Sequence, residues 1–271
     1  QQATRQRADL IAWVSHDLQT PLTSIQAILE ALADGLIEDP EAQERYLRTA
    51  QREVRSLSDL IDDLFQLTKL DAGGLTTGTG GNISIFNAKS GLMAISPSSM
   101  DYKEMTPEDV VVMDLDATVV DGNLRPSSEF GMHLICYKQR TDINAVVHTH
   151  SPKATSLAVM GWDLPAVHYM IALSGGATIR CTPYRLFGTM DLAEEAIKAM
   201  EGSFACLLGN HGALATGPDI GYAYSLAEHI EFCADIYLRA KMVGNPNILS
   251  HEQIYEVIEK FLSSYSTQKK R

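Results

Sequence analysis

The apolar positions fall into two rhythms along the chain. Between residues 4 and 72 they recur every three or four residues and never alternate. Leu47, Ala50, Val54, Leu57, Ile61 and Leu64 step 3, 4, 3, 4, 3, which is a heptad seam. Val14, Leu18, Leu22, Ile25, Leu29, Leu32 and Leu36 step 4, 4, 3, 4, 3, 4. The doubled four is a stutter, which locally unwinds a supercoil. Gly35 and the run Glu38-Asp39-Pro40-Glu41 mark a turn between two helices, with Pro40 near the start of the second. The pattern predicts a helical hairpin over residues 1–73. Two helices cannot bury a seam alone, so a dimer forming a four-helix bundle is expected.

After Leu75 the rhythm changes. Ile83–Phe86, Leu92–Ile95, Val110–Leu115, Ala145–His150 and Phe204–Leu208 read as strands. Segments near 127–140, 152–160, 189–201, 219–243 and 251–265 read as helices. There is no steady alternation of strand and helix. The prediction for residues 74–271 is therefore an α/β domain with helices packed on a mainly antiparallel central sheet.

Composition narrows the class. The 271 residues are 45% hydrophobic, enough for full cores, and no apolar run approaches the roughly 18 residues of a spanning helix. The net charge is −12, and it is spread evenly over both parts, which argues against nucleic acid or an anionic membrane surface as partner. Cys136, Cys181, Cys206 and Cys233 form no C-x-x-C pair. They read as packing thiols of a cytoplasmic protein without a visible secretory signal.

Chemistry in the first part centres on His16, within Ser15-His16-Asp17-Leu18-Gln19-Thr20-Pro21-Leu22. Pro21 removes the amide that would bond the Asp17 carbonyl, so the helix is weakened beside the histidine. Asp17 is placed to hydrogen-bond one imidazole nitrogen and raise the nucleophilicity of the other. With the ending Leu67-Thr68-Lys69-Leu70-Asp71-Ala72-Gly73, this stretch resembles the dimerisation and phosphotransfer (DHp) segment of sensor histidine kinases. Gln19 stands where that family commonly has arginine. The resemblance implies that His16 is a vestigial phosphoacceptor. No ATP-binding domain follows it in this chain, so kinase activity is not expected.

The second part carries several polar loops. Gly78-Thr79-Gly80-Gly81-Asn82 precedes a strand and follows a helix, the reverse of a Rossmann or P-loop order. Its glycines permit an anion-binding nest of amides. Ser96-Pro97-Ser98-Ser99 follows a strand, and Ser127-Ser128 opens a helix, where hydroxyls and free amides suit a phosphate or simply cap the helix. His148 and His150 lie two apart on a strand, so both side chains share a face and suit one metal. A third ligand is needed. His211, beside a glycine after an apolar strand, is the best candidate among His133, His168, His211, His229 and His251. Glu129 at a helix start is either a dipole-facing acid or a general acid/base beside the metal. His133, one helical turn later, is a candidate supporting group.

These residues together resemble the class II aldolase and adducin family, nearest its L-fuculose-phosphate aldolase branch, over about residues 76–265. Pro165-Ala166-Val167-His168-Tyr169-Met170-Ile171-Ala172 and Pro183-Tyr184-Arg185-Leu186-Phe187-Gly188-Thr189 share in that resemblance. It implies that His148, His150 and His211 bind zinc (Zn²⁺) and that Glu129 is the acid/base. It implies that Asn82, Ser98, Ser99, Ser127 and Ser128 cradle the substrate phosphate, although Ser99 stands where the family has glycine. Tyr169 would donate a proton in a neighbouring subunit's site, and Tyr265 is a weaker match to a C-terminal tyrosine. The implied reaction is cleavage of L-fuculose 1-phosphate to dihydroxyacetone phosphate and L-lactaldehyde, by a homo-oligomer. The sugar-phosphate 4-epimerases of the same fold are the nearest alternative, but Ser96 and Glu129 replace their usual lysine and aspartate. A signalling module with a non-catalytic aldolase fold, and a designed self-assembling cage or lattice component, are further alternatives.

The join bears on origin. Leu67 to Leu75 runs into the glycine loop with no Ser/Gly-rich spacer, as if one helix served both parts. An engineered chimera is expected, joined near residue 73 and assembled through both DHp and aldolase interfaces.

Overall fold

The strands after residue 81 form one seven-stranded sheet in the computed structural model, which describes residues 31, 39, 41–48, 74–76, 79–88, 91–102, 104–106 and 109–268. The chain divides into two units, Gln1–Phe65 and Gln66–Arg271. In the first unit, residues 41–48 are helical. Asp39 starts that helix: its Oδ1 accepts the Glu41 amide at 3.2 Å, as an N-cap does. Glu44 and Arg48 pair across one turn at 2.6 Å. His16, Gly78, the Leu67–Gly73 segment and the rest of the expected hairpin lie outside the described residues, as does the side chain of Tyr265.

The second unit runs β1 (Asn82–Asn87), β2 (Leu92–Ile95), β3 (Val111–Asp114), β4 (Val119–Asp121), α1 (Phe130–Gln139), β5 (Ala145–Thr149) and α2 (Pro152–Met160). It continues with β6 (Leu164–Pro165), a 3-10 helix (Tyr169–Ser174), β7 (Thr178–Ile179) and α3 (Met190–Ala199). The last elements are β8 (Ala205–Leu208), β9 (Gly212–Gly217), α4 (Ile220–Val243) and α5 (His251–Gln268). The large sheet has the order β4-β3-β2-β1-β5-β9-β8, and every pairing in it is antiparallel.

A core lies on each face, because side chains alternate across the pleat. Ile83, Ala145, Val147, Leu207 and Ala215 pack with α2, α4, α5 and the 3-10 helix. Met93, Ile95, Val146, Cys206 and Leu214 pack with α1 and α3. All four cysteines are free, and three of them are buried in these cores.

The sequence reading of the second unit holds for its antiparallel sheet and for all five α-helices, within a few residues at their ends. It missed β9, whose Gly212-Ala213-Leu214-Ala215-Thr216-Gly217 has only Thr216 among the β-branched and aromatic side chains that signal a strand. The strand is nonetheless buried throughout, between β5 and β8. It also missed the short β4, β6 and β7 and the 3-10 helix, which are too brief for periodicity to register.

Candidate active site

His148 is the penultimate residue of β5 and is fully buried, and His150 is the first residue beyond the strand. Their Nε2 atoms stand 3.0 Å apart. His211 sits in the turn joining β8 to β9. Glu129 immediately precedes α1 and is 7% exposed. Its Oε2 lies 3.3 Å from His148 Nε2 and its Oε1 3.4 Å from His211 Nε2. The candidate ligand atoms of Glu129, His148, His150 and His211 all lie within 4.8 Å of one another.

Two glycines allow this closeness. Gly81 has φ +79°, and a Cβ there would lie 2.5 Å from the His148 carbonyl oxygen. A Cβ on Gly212 would collide with the Thr149 carbonyl and meet His150 Cδ2 at 3.1 Å and His148 Cε1 at 3.2 Å. The start of β1 and the start of β9 thus both approach the β5 backbone closely beside the imidazoles.

The donor set fits a metal ion. His148 Nδ1 donates to the Ala213 carbonyl at 2.9 Å, which leaves the Nε2 lone pair facing the cluster. Tetrahedral ligands at about 2.0 Å stand roughly 3.3 Å apart, close to the nitrogen separation of the His148–His150 pair. Glu129 Oε1 is buried without a hydrogen-bond partner, as a metal- or substrate-facing oxygen would be. Burial, and then the neighbouring His148 imidazole, lower the imidazoles of His150 and His211 to about 4, so both are neutral at pH 7, as metal ligands must be. Burial pushes the Glu129 carboxyl up, but the close approach of His148 and His211 and the Asn82 amide hold it below the ordinary carboxylate range.

The three polar loops meet beside this cluster. Ile83 donates its amide to Ser96 Oγ at 3.2 Å, and Ser96 donates its own to the Ile83 carbonyl at 3.0 Å. Ser127 N donates to the Ser96 carbonyl at 3.1 Å, and Ser98 N to the Arg125 carbonyl at 2.9 Å. Ser127 Oγ accepts the Glu129 amide at 3.3 Å, so it also serves the helix start. Ser98 Oγ and Ser99 Oγ are 3.4 Å apart. Ser99 has φ +60°, a left-handed conformation in which a side chain is strained.

Asn82 takes a position the sequence did not reveal. It is paired in register with His148 across β1 and β5, and its Nδ2 donates to Glu129 Oε2 at 2.9 Å. Tyr169 contacts His168 and Phe261. It opens the 3-10 helix, is 49% exposed, and stacks near His168, with ring centroids 4.6 Å apart. Of the other histidines, His229 lies in α4, His251 begins α5 and His168 caps the 3-10 helix. His133 is fully buried in α1.

Residues 66–238 match the family model described as Class II Aldolase and Adducin N-terminal domain. The chain belongs to the class II aldolase and adducin family. Residues 6–73 match a second model, the His Kinase A (phospho-acceptor) domain, so the two matches overlap over residues 66–73. A 5-deoxy-D-ribulose 1-phosphate aldolase of Bacillus thuringiensis serovar kurstaki is 51% identical over 193 residues, covering 71% of this chain and 90% of that one. An L-fuculose phosphate aldolase of Escherichia coli K12 is 37% identical, covering 74% and 92%. A solved L-fuculose 1-phosphate aldolase is 45% identical with a TM-score of 0.73, covering 75% of this chain and 96% of that one. The chain is an aldolase-family enzyme, a lyase, with a match to the His Kinase A (phospho-acceptor) domain at its N-terminal side. Among the described residues, no helix is long and apolar enough to cross a membrane.

Proposed function

We propose that the chain is a zinc-dependent aldolase that cleaves a deoxyketose 1-phosphate to dihydroxyacetone phosphate and a short aldehyde. The observation that carries this reading is the convergence of three imidazoles on one buried carboxylate. His148, His150 and His211 would hold the zinc. The ion supplies Lewis-acid stabilisation of the negative charge that develops when a carbon beside the ketone loses a proton. Glu129 is the base that takes that proton in the condensation direction and returns it in cleavage. Tyr169, from a neighbouring subunit, donates a proton to the aldehyde oxygen. Ser98, Ser99, Ser127 and Ser128 hold the phosphate with nearby amides, and Asn82 contributes through the backbone of its loop, a role that the meeting of these loops supports.

Two substrates share the carbons that become dihydroxyacetone phosphate and differ only in the aldehyde. L-Fuculose 1-phosphate releases L-lactaldehyde, and it is the substrate read from the sequence. A 5-deoxyribulose 1-phosphate releases acetaldehyde, and the 51% identity to an aldolase named for that compound favours it as a second reading. Purified protein should contain about one zinc per chain and release dihydroxyacetone phosphate from at least one of the two. Loss of the metal in His148→Ala should abolish release. Full zinc content in a chain lacking both His148 and His150 would overturn the assignment.

The N-terminal segment has a separate role in this reading: it dimerises the enzyme and does not transfer phosphate. Overlap of the two family matches at residues 66–73, with no spacer, supports an engineered chimera joined near residue 73.

A further inference from the structure

The buried groups behind Glu129 form one hydrogen-bonded line. Asn82 Nδ2 donates to Glu129 Oε2 at 2.9 Å. Asn82 Oδ1 lies 2.5 Å from His133 Nε2. His133 Nδ1 lies 2.6 Å from Ser84 Oγ, and Ser84 Oγ lies 2.5 Å from Tyr137 Oη. Ser84, His133 and Tyr137 are all buried, and none of them joins the ligand cluster.

The chemistry of each member fixes the direction of the line. An ionised carboxylate only accepts, so Asn82 must present its amide nitrogen to Glu129. Its carbonyl oxygen then faces His133, whose Nε2 must carry the proton. His133 Nδ1 is left with a lone pair, which accepts from Ser84. Ser84 Oγ accepts in turn from the Tyr137 hydroxyl. One polarity satisfies every member, and reversing any one leaves two donors or two acceptors facing each other in the core.

We infer that His133 is a positioning residue for Glu129: by locking the Asn82 amide in one orientation, it ties down Oε2 and leaves Oε1 as the oxygen that handles the substrate proton. This rests on the aldolase reading above, in which Glu129 is the base. The partnerless Oε1 and the tied Oε2 are the two halves of that assignment. A freely turning Asn82 would spend time with its carbonyl against the carboxylate. Glu129 would then swing away from its productive pose, with substrate binding little changed.

The test compares His133→Leu with His133→Gln in the full-length, zinc-loaded protein. Glutamine can still donate to Asn82 Oδ1 from its amide nitrogen, whereas leucine cannot. Proton transfer is read alone by following exchange of the dihydroxyacetone phosphate C3 hydrogen into deuterated water. His133→Leu should lose roughly 10–100-fold in exchange and in kcat, with KM within about threefold and zinc retained. His133→Gln should recover most of that loss. Wild-type exchange in the leucine variant, equal loss in both variants, or a loss that simply follows zinc content would each overturn the assignment. Nitrogen-15 NMR of the unmutated protein tests the line without a variant. His133 should be protonated at Nε2 and bare at Nδ1, and the opposite tautomer would overturn the inference even in an active enzyme. An unmutated protein that neither exchanges nor cleaves would instead overturn the aldolase reading.

Discussion

Glu129 must be charged to act as a base, yet it is almost sealed from water. The nearby His148 and His211 imidazoles and the Asn82 amide shift the carboxyl towards its charged form. Glu129→Gln keeps the size and most hydrogen bonds but removes the basic oxygen. Turnover should fall roughly 10²–10⁴-fold with zinc retained, as measured by dihydroxyacetone phosphate release. Near-normal turnover would reduce Glu129 to an acid at a helix start. Ser99 makes the opposite kind of test. At φ +60° it bears strain that glycine would not. Ser99→Gly should raise stability by about 1 kcal/mol in chemical denaturation, provided the added freedom of the unfolded chain does not cancel it. If the loop also holds the phosphate, KM should change while zinc content stays constant. A destabilised Ser99→Gly protein would mean that the Ser99 side chain contributes more through contacts such as Ser98 than its conformation costs.

At the scale of elements, α1 carries a histidine where a helix core normally carries an apolar residue. Burial, and then the nearby His148 imidazole, lower the His133 imidazole from 6.5 to about 3. The unfolded chain takes up a proton there below about pH 6.5, whereas the folded protein stays neutral until about pH 3. Proton uptake by the unfolded state means that stability falls as pH drops through that window and levels off below it. His133→Gln removes this linkage. The difference in unfolding free energy between wild type and variant should therefore shrink or reverse from pH 7 to pH 4, in matched denaturation curves. A pH-independent difference would show that His133 titrates alike in both states. The same element shows what the sequence could and could not disclose. His148 and His150 were legible because the two-residue repeat of a strand is local, and His133 was marked by its spacing from Glu129. The contact from Asn82 to Glu129 was not legible. It depends on β1 pairing with β5 in one register, a long-range choice fixed by how the cores pack. Asn82 was therefore read only with the phosphate loop that its neighbouring glycines announce. Strand β9 escaped for a related reason: its small residues are needed where Gly212 crowds the imidazoles, and small residues carry little strand signal.

At the scale of the whole molecule, two families that both work as oligomers share one chain. The heptad spacing of residues 14–64 predicts seams that two helices alone cannot bury, so the expected hairpin calls for a second copy. The exposed Tyr169 calls for a neighbour too, if it completes that neighbour's site. Two different symmetries imposed on one chain must both close, or assembly continues without limit. Pairing two aldolase tetramers through kinase-type bundles is one closed solution; a poor angle between the axes gives larger cages or open sheets. The full chain should therefore be larger than a tetramer by light scattering at micromolar concentration. Leu57→Glu with Ile61→Glu puts like charges into the seam, and should reduce the particle towards tetramers without changing zinc content or turnover per chain. Because both positions precede the aldolase-matching region, they test assembly without cutting into the enzyme. A chain that runs as a monomer or lone tetramer before mutation would refute the idea that both interfaces operate. A seam mutant that stays large would place the additional contact in the aldolase unit, where exposed Met242 and Val243 at the end of α4 would be the next residues to charge.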